Sequence, residues 1–409
     1  MLLPLLALAA SPLALASSLY ARQTGAYPPA LQKGPAPKQE WVGTYNAAKA
    51  AGKIPSFPPA TLVGGNPTYP SGTNTGENGV CSWSVSHCFG DNDISDAPDG
   101  MYAIAFDDGP LPSSIKLYNF LKQQNQTATH FLIGTNIVNN PDAFKLALSI
   151  GGHLAVHTWS HPYMSTLTDM QVLGELGWTA QAIYDQSGGL VPKYWRPPYG
   201  DTDNRVRAIA EEVFGLTLVA WNRDSNDWCL NSGPGACPSY GPQSQADLES
   251  ELRGWMVGSK SPGSCGLEHE SGDKTVGAFI HTYPGIKQHG WDARCVPDLF
   301  GADWYQNAAR NGTAVPVPAA SAIGHGPVSL VVSASSSSVV LNSMLAASSA
   351  TASVTTSRMS TASAITTSSS SPASAAAQSA KTKATSGSPA DAVLSSGAAL
   401  VAAALALLA

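Results

Sequence analysis

Charged side chains are scarce in this sequence of 409 residues. Asp, Glu, Lys and Arg together make up 12% of it, which is well below the fraction in typical soluble domains. The formal net charge is −6, and no block of basic residues occurs. Because binding to nucleic acid requires a basic patch that neutralises phosphates, we expect no nucleic acid partner.

Long apolar runs are also lacking. The most apolar segments are residues 1–16 and 398–409, and both are shorter than the roughly 20 residues that a membrane-spanning helix needs. The first segment ends in Ala14-Leu15-Ala16 before two serines. Small residues at that place are typical of a secretory signal peptide, which we predict at residues 1–16.

Cysteine spacings that bind zinc or form a CxxC redox pair are absent. The six cysteines therefore favour three disulfide bonds in an oxidising compartment, with 15 possible pairings. Asn125 and Asn311 each begin an Asn-x-Thr sequon, so both are predicted to be glycosylated in a secreted chain. The cysteines are Cys81, Cys88, Cys229, Cys237, Cys265 and Cys295.

The C-terminal part has almost no aromatic residues. Residues 313–388 consist mainly of Ser, Thr and Ala, a composition that cannot bury enough apolar surface to fold, and we predict a disordered stalk. Ser386, Gly387 and Ser388 are candidates for attachment of a glycosylphosphatidylinositol (GPI) anchor, because a spacer and an apolar tail follow in residues 389–409. We expect a monomer displayed at the cell surface, tethered to the membrane or cell wall through this lipid.

The remaining chain divides into two regions. Residues 17–97 are rich in Pro, Gly and Asn, and we interpret them as an N-terminal arm pinned to the body by Cys81 or Cys88. Residues 98–312 alternate between strand and helix patterns, which predicts an α/β domain whose parallel sheet closes, or nearly closes, into a distorted barrel. The chemistry of such barrels lies at the carboxyl ends of the strands. Strands are predicted at residues 102–106, 128–133, 153–156, 216–221 and 277–281, and helices at 113–124, 141–150, 168–187, 204–214 and 244–257.

Polar clusters follow these predicted strands. Asp107 and Asp108 end the first strand, a position where acids also cap loops. His157 and His161 follow the third strand at a spacing of four, which is common for metal ligands but also occurs in surface pairs. Together with a carboxylate from another strand, the two histidines would form a site with open positions for water and substrate. Such nitrogen and oxygen ligands favour zinc or another divalent ion.

Three further motifs carry candidate site residues. Arg196 begins the rigid segment Arg-Pro-Pro-Tyr-Gly and could grip a carboxylate with two hydrogen bonds. Asp227 and Trp228 follow the strand at 216–221, and His281 ends the last predicted strand. His281 is a candidate acid or base. The aromatic residues considered for stacking on sugars, with buried packing as the alternative, are Trp159, Trp195, Tyr283 and Trp291.

These motifs, taken in order, resemble a known family. Phe-Asp-Asp-Gly-Pro, His-Thr-x-x-His-Pro, Arg-Pro-Pro-Tyr-Gly, Asp-Ser-x-Asp-Trp and a late histidine occur in that order in the polysaccharide deacetylases of carbohydrate esterase family four, the NodB-homology group. The anchored arrangement looks like that of fungal chitin deacetylases. The resemblance covers about residues 99–311, and it implies the NodB-type distorted barrel.

The resemblance implies a metal-dependent deacetylase. Asp108, His157 and His161 would hold the ion, Zn²⁺ or alternatively Co²⁺. Asp107 would act as the general base that deprotonates the attacking water and would also contact substrate, with Arg196 orienting it.

Four further residues take roles from the same resemblance. The backbone N–H of Tyr199 would stabilise the oxyanion. His281 would protonate the leaving amine with the help of Asp227, and Trp228 would line the pocket for the acetyl methyl group. Phe279 stands two residues before His281, where the family often has Leu, and would lie on the pocket side. Thr282 follows His281, where an acid is common, and both departures put the surroundings of His281 in doubt.

The expected reaction is removal of N-acetyl groups from chitin or chitin oligomers during cell-wall modification, giving chitosan and acetate. The same machinery could instead remove O-acetyl groups from xylan or another wall polymer. A third hypothesis is a catalytically silent wall-binding protein, which would have lost a ligand or the base.

Overall fold

The computed structural model describes residues 27–232 and 237–328. The predicted signal peptide, most of the predicted stalk and the predicted anchor signal lie outside the described residues. Within them, strands and helices alternate along the chain and the main strands pair in parallel. The predicted α/β class is therefore confirmed.

Two parallel sheets form the barrel. One has five strands in the order β4-β5-β6-β7-β8, and the other has four in the order β11-β3-β10-β9. Only Ile104 separates β3 from β4, so the chain passes directly from one sheet into the other. A parallel bridge between Asp107 and His269 connects the sheets again near their carboxyl ends. The strands are β1 Thr61–Val63, β2 Asn66–Thr68, β3 Met101–Ala103, β4 Ala105–Gly109, β5 Thr129–Leu132, β6 His153–Val156, β7 Tyr194–Trp195, β8 Thr217–Leu218, β9 Arg223–Asp224, β10 Ser264–Leu267 and β11 Asp292–Arg294.

Helices cover the outside of the sheets, and most lie where the sequence predicts them. Thr168 caps its helix through a reciprocal pair of hydrogen bonds with Gln171, and Gly215 ends another in the left-handed conformation. Both are standard terminal signals. The α-helices are Gln39–Ala50, Trp83–Ser86, Ser114–Gln124, Gly134–Asn139, Pro141–Ser149, Asp169–Ser187, Asn204–Phe214, Gln245–Val257, Asp273–Gln288, Val296–Leu299 and Ala319–Ala322, and short 3₁₀ helices lie at Met164–Thr166, Pro198–Gly200 and Asp227–Asn231.

The prediction of a strand at 277–281 is wrong. These residues lie in the middle of the helix Asp273–Gln288. Val276, Phe279 and Ile286 are buried there at intervals of three and seven residues, which is the period of a helix face and not of a strand. The last strand before this helix is Ser264–Leu267, which the sequence analysis missed.

The disulfide prediction needs a correction. Cys81 bonds to Cys88 within the arm, and Cys229 bonds to Cys237, so the first pair closes a local loop and does not pin the arm to the body. Cys265 and Cys295 are buried and unbonded. Cys265 lies in β10 and Cys295 directly follows β11, and strand β3 separates these two strands. Strands with one strand between them are about 10 Å apart, whereas the Cα atoms of a disulfide lie within about 7 Å.

The predicted start of the stalk at residue 313 is too early. Ala322 and Ile323 are buried in the main core, and the Gly326 N–H donates to the Val213 carbonyl at 2.9 Å. The chain therefore stays packed on the body to at least residue 328. Within the part of the chain that the structure describes, no helix is sufficiently long and apolar to span a membrane.

Candidate active site

A cavity of about 430 Å³ opens at the carboxyl ends of the strands. Strands β4, β6, β7 and β10 all end at it, so each contributes the residues that follow it, as expected for a barrel of this kind. Acidic, imidazole and aromatic side chains surround the space. The lining residues are Trp83, Asp107, Asp108, His157, His161, Tyr163, Tyr199, Trp221, Asp224, Trp228, Leu267 and His269.

Asp108, His157 and His161 converge at one point of this cavity. Asp108 Oδ1 lies 3.5 Å from His157 Nε2 and 3.4 Å from His161 Nε2. The candidate ligand atoms of the three residues all lie within 4.8 Å of one another. Backbone φ angles of 73° at Asp108 and 60° at His161 turn these two side chains inward. The sequence-based prediction brought together the same three residues.

The chemistry of this set fits a divalent metal ion. Asp108 Oδ1 is buried and receives no hydrogen bond, which is costly unless a cation or a donor satisfies it. Burial would raise the pKa of Asp108, but its interactions with His161, which is charged only in acid solution, and with His157 outweigh burial and hold that pKa well below its usual range. Burial lowers the pKa of His161 to about 4. An ionised carboxylate and a neutral imidazole are the forms that bind metal.

Glu175 fixes the loop that carries the two histidines. Its Oε2 accepts the backbone N–H groups of Trp159 and Ser160, both at 2.8 Å. Its Oε1 accepts the Ser160 hydroxyl at 2.7 Å and the Gly34 N–H at 2.7 Å. This fully buried carboxylate therefore holds both the loop between His157 and His161 and the N-terminal arm.

Asp107 lies beside the ligand set and is held by Arg196. Arg196 Nη1 donates to Asp107 Oδ1 at 2.8 Å, while the other guanidinium nitrogens donate to the carbonyls of Val219 and Ala220 at 3.1 Å. The Asp107 Oδ2 atom lies 3.7 Å from His157 Nε2. One carboxylate oxygen is thus engaged by the arginine, and the other faces the candidate metal position.

Arg196 also orients a candidate ligand. Its backbone carbonyl lies 2.7 Å from His157 Nδ1. A carbonyl can only accept, so Nδ1 carries the proton and Nε2 presents its lone pair toward Asp108. Hydrogen bonds of this kind fix the tautomer and direction of a metal-binding histidine.

The histidine that reaches the cavity late in the chain is His269. Its Nδ1 lies 2.5 Å from Asp227 Oδ1, and its backbone N–H donates to Asp227 Oδ2 at 2.8 Å. Burial would lower the pKa of His269, but the Asp227 carboxylate, with smaller contributions from Asp108 and Asp107, raises it to about 10. His269 is therefore a protonated imidazolium at neutral pH.

The structure contradicts the assignment of His281 to the site. His281 is exposed on the helix Asp273–Gln288, where its Nδ1 lies 2.8 Å from Glu249 Oε1. A signal for His269 was present in the sequence, because Leu267 precedes it by two residues and Glu270 follows it directly. The two apparent departures from the family pattern at Phe279 and Thr282 arose from choosing the wrong histidine.

The other predicted binding residues divide between cavity and core. Tyr199 and Trp228 line the cavity as predicted. Phe279 is buried in the core against Phe106, with ring centroids 4.8 Å apart, so its prediction as a substrate contact is wrong. The four aromatics weighed for sugar stacking, Trp159, Trp195, Tyr283 and Trp291, pack against the core. The cavity aromatics that the sequence analysis missed are Trp83, Tyr163 and Trp221.

The two sequons differ in their surroundings. Asn125 is exposed directly after the helix Ser114–Gln124. The Asn311 amide instead donates to the carbonyls of Leu148 at 3.3 Å and Gly152 at 2.9 Å, while its oxygen accepts the Tyr305 hydroxyl at 2.7 Å. Both Nδ2 hydrogens of Asn311 are engaged, whereas Asn125 is open to a glycan.

Known proteins similar to this chain are polysaccharide deacetylases. Residues 95–219 match the family model described as polysaccharide deacetylase. Chitin deacetylase 3 of Cryptococcus neoformans is 45% identical over 261 residues, which are 63% of this chain and 62% of that protein. The chitin deacetylase of Amylomyces rouxii is 39% identical over 196 residues, or 46% of each protein.

The chain therefore spans less than two thirds of the length of these curated relatives. Among solved structures, the chitin deacetylase from the fungal pathogen Colletotrichum lindemuthianum is 23% identical with a TM-score of 0.46. That match covers 52% of this chain and 94% of the solved one.

Proposed function

We propose that this chain, which contains a polysaccharide deacetylase domain, hydrolyses the N-acetyl groups of N-acetylglucosamine residues in chitin. The products are chitosan and acetate. The observation that carries the proposal is the convergence of a candidate metal site, an arginine-held carboxylate and a carboxylate-held imidazolium around one cavity. The relatives named as chitin deacetylases support the choice of substrate.

In this proposal Asp108, His157 and His161 hold a divalent ion, with Zn²⁺ preferred and Co²⁺ as an alternative. When bound, such an ion supplies Lewis acidity toward a carbonyl oxygen and lowers the pKa of water beside it. The chain keeps the three ligands in their binding forms, because His157 is fixed in the Nε2-ligating tautomer and Asp108 is ionised. Within the described residues the converging ligand set has three members, which leaves space for water and substrate.

Asp107 acts as the general base. Arg196 Nη1 occupies its Oδ1 with a hydrogen bond, so Oδ2 remains to accept a proton from the attacking water. The different roles of the two carboxylate oxygens depend on the 2.8 Å hydrogen bond from Arg196 Nη1 to Asp107 Oδ1. A carboxylate placed in this way typically accelerates a proton-transfer step by about 10²–10⁴-fold.

His269 acts as the general acid that protonates the leaving amine. Asp227 holds it in the charged form, so a proton is available when the carbon–nitrogen bond breaks. In the same proposal the Tyr199 N–H stabilises the oxyanion of the tetrahedral intermediate, and Trp228 bounds the space for the acetyl methyl group.

Acetate release tests the proposal. The purified chain is incubated with N-acetylated chitin tetramer and, separately, with O-acetylated xylan, with and without a chelator, and released acetate is measured. We expect acetate from the chitin tetramer and its loss after chelation, restored by Zn²⁺. Release from xylan alone would favour the O-deacetylase, and release from neither would favour the silent wall-binding protein.

Two variants separate the roles of the ligands and the base. His157→Ala should lose bound metal and acetate release together. Asp107→Asn should keep bound metal, measured by elemental analysis, while turnover falls by about 10²-fold or more. Retained metal in the first variant, or near-normal turnover in the second, would contradict the assignments.

The proposal includes secretion and a GPI-anchored location at the cell surface. The residue pattern of the two termini supports it, although both termini lie outside the described residues. The Cys81–Cys88 and Cys229–Cys237 disulfides add support, because such bonds persist in oxidising compartments.

A further inference from the structure

The N-terminal arm contributes a tryptophan to the active-site cavity. Trp83 lines this cavity together with the candidate metal ligands. It lies outside residues 95–219, which match the family model. It belongs to the loop closed by the Cys81–Cys88 disulfide, and this loop is called the arm loop below. Part of the cavity wall therefore comes from a segment outside that matched region.

The arm loop is fastened to the body at both ends. Arg207 donates from Nη1 to the carbonyl of Cys81 at 2.6 Å and from Nη2 to the carbonyl of Cys88 at 2.9 Å. The backbone N–H of Trp83 donates to the Thr202 carbonyl at 3.1 Å. With a disulfide across its base and an arginine bonded to both ends, the arm loop holds the indole in a defined position.

The Trp83 ring packs directly on the segment that carries Tyr199. A Cβ atom placed on Gly200 would lie 2.3 Å from a carbon of the Trp83 ring, so only glycine allows this approach. Gly200 also has a φ of +67°, which glycine adopts without strain. Trp221 lies against the same indole with ring centroids 4.8 Å apart. The half-buried ring is thus supported by its neighbours where it lines the cavity.

Aromatic side chains line the cavity beside its acidic and imidazole groups. Tyr163 and Tyr199 are stacked with ring centroids 4.2 Å apart, and Trp228 completes the apolar surface. Among the described residues that line the cavity, none is Lys or Arg. The aromatic side chains suit a ligand with flat apolar faces, such as a pyranose ring.

We propose that Trp83 stacks on the sugar ring next to the residue that is deacetylated, and so helps to determine how the polysaccharide is positioned. This inference rests on the proposed function, and it assigns a specificity role to the arm. Val85 in the arm loop and Phe89 just after it are also exposed, with 45% and 40% of their surface accessible. The segment that carries Trp83 therefore has apolar side chains at its surface.

The test measures binding of N-acetylated chitin tetramer without turnover. In an Asp107→Asn background, Trp83→Leu keeps an apolar side chain over Gly200 but removes the planar ring. We expect its Kd by calorimetry to rise about tenfold, and that of Trp83→Phe to rise less, because stacking needs the ring. Trp83→Met is the second non-aromatic variant, to be used if the leucine variant does not fold.

A matched control comes from another tryptophan that contacts the arm. Trp178 donates to the Ala36 carbonyl at 2.9 Å and lies outside the cavity lining, so Trp178→Leu should leave Kd at the parent value. An unchanged Kd in Trp83→Leu, or an equal rise in the leucine and phenylalanine variants, would overturn the inference.

Failure of the proposed function would give a different result. In that case the chain with Asp107 intact would release no acetate from the tetramer, whatever the effect of Trp83 variants on Kd. Acetate release combined with a Kd that does not respond to Trp83→Leu would overturn the inference alone.

Discussion

Asp227 contacts His269 through two separate hydrogen bonds, one to the imidazole Nδ1 at 2.5 Å and one to the backbone N–H at 2.8 Å. The first keeps the ring charged and directs Nε2 away from the carboxylate. The second fixes the backbone just after β10, where the chain bridges to Asp107. The proposed acid and the proposed base are thus positioned by adjoining strands of the barrel.

Replacing Asp227 should change the alkaline limit of activity. The pKa of His269 is raised to about 10, so the proton donor is present below that pH and is lost as pH rises through it. Asp227→Asn removes the charge that raises this pKa. The alkaline limb of kcat/KM should therefore move to lower pH by about 1–3 units. An alkaline limb that stays in place would show that another group donates the proton.

The roles of His269 and His281 can be distinguished by a direct comparison. His269→Ala should lower kcat on chitin tetramer by about 10²–10⁴-fold, because the leaving amine loses its proton donor. His281→Ala should retain the parent kcat, since its exposed imidazole pairs with Gln245 and Glu249 of the helix Gln245–Val257 and does not line the cavity. A large loss of kcat in His281→Ala, measured by acetate release, would contradict the placement of His281 outside the active site.

The sequence located the candidate metal ligands but not the proposed acid, because the two kinds of residue follow strands of different signal strength. His157 and His161 lie four residues apart after a clear strand, β6, whose bounds were predicted correctly. His269 follows β10, a four-residue strand that contains Gly266 and carries a weak strand signal. The apolar run before His281 instead imitated a strand, although its helical period was present in the sequence. Tertiary contacts decided between two short patterns that local sequence left ambiguous.

The docking of the arm was beyond sequence reasoning for a similar reason. The contacts of Trp83 with Thr202 and Trp221 and the hydrogen bond of Glu175 to Gly34 join segments separated by more than 100 residues, and no local periodicity encodes such pairings. Counting the cysteines predicted three bridges. The strand order that separates Cys265 from Cys295 is a property of the folded barrel, so counting could not show that these two remain unbonded.

Glycosylation should distinguish the two sequons. In a secretory expression host we expect Asn125→Gln to lower the glycosylated mass and to leave unfolding within about 0.5 kcal/mol of the parent. Asn311→Gln should leave the glycosylated mass unchanged and destabilise the chain by about 1–3 kcal/mol, because its side chain joins Tyr305 to two carbonyls. Mass spectrometry and urea unfolding measure both effects. A glycan at Asn311 would contradict the arrangement of its amide.

Removing the carboxylate of Glu175 should weaken metal binding from a distance. Glu175→Gln replaces one acceptor oxygen by an amide donor, so backbone N–H groups of the loop between His157 and His161 lose their partner. The ligands are then held less firmly, and we expect Zn²⁺ affinity to fall by about 10–100-fold, measured by competition with a chromophoric chelator. The matched control is Asp185→Asn, on the same helix. Asp185 also binds the arm, through the Tyr27 hydroxyl at 2.8 Å, but it does not contact the histidine loop.

The control separates attachment of the arm from support of the metal site. If Glu175 acts only by holding the arm, both variants should lower the melting temperature and neither should change Zn²⁺ affinity. If it positions the ligands, Glu175→Gln alone should weaken affinity at temperatures well below unfolding. An affinity equal to that of the parent in Glu175→Gln would show that the loop keeps its shape without this carboxylate, because Thr158 Oγ1 still accepts the His161 N–H at 3.1 Å.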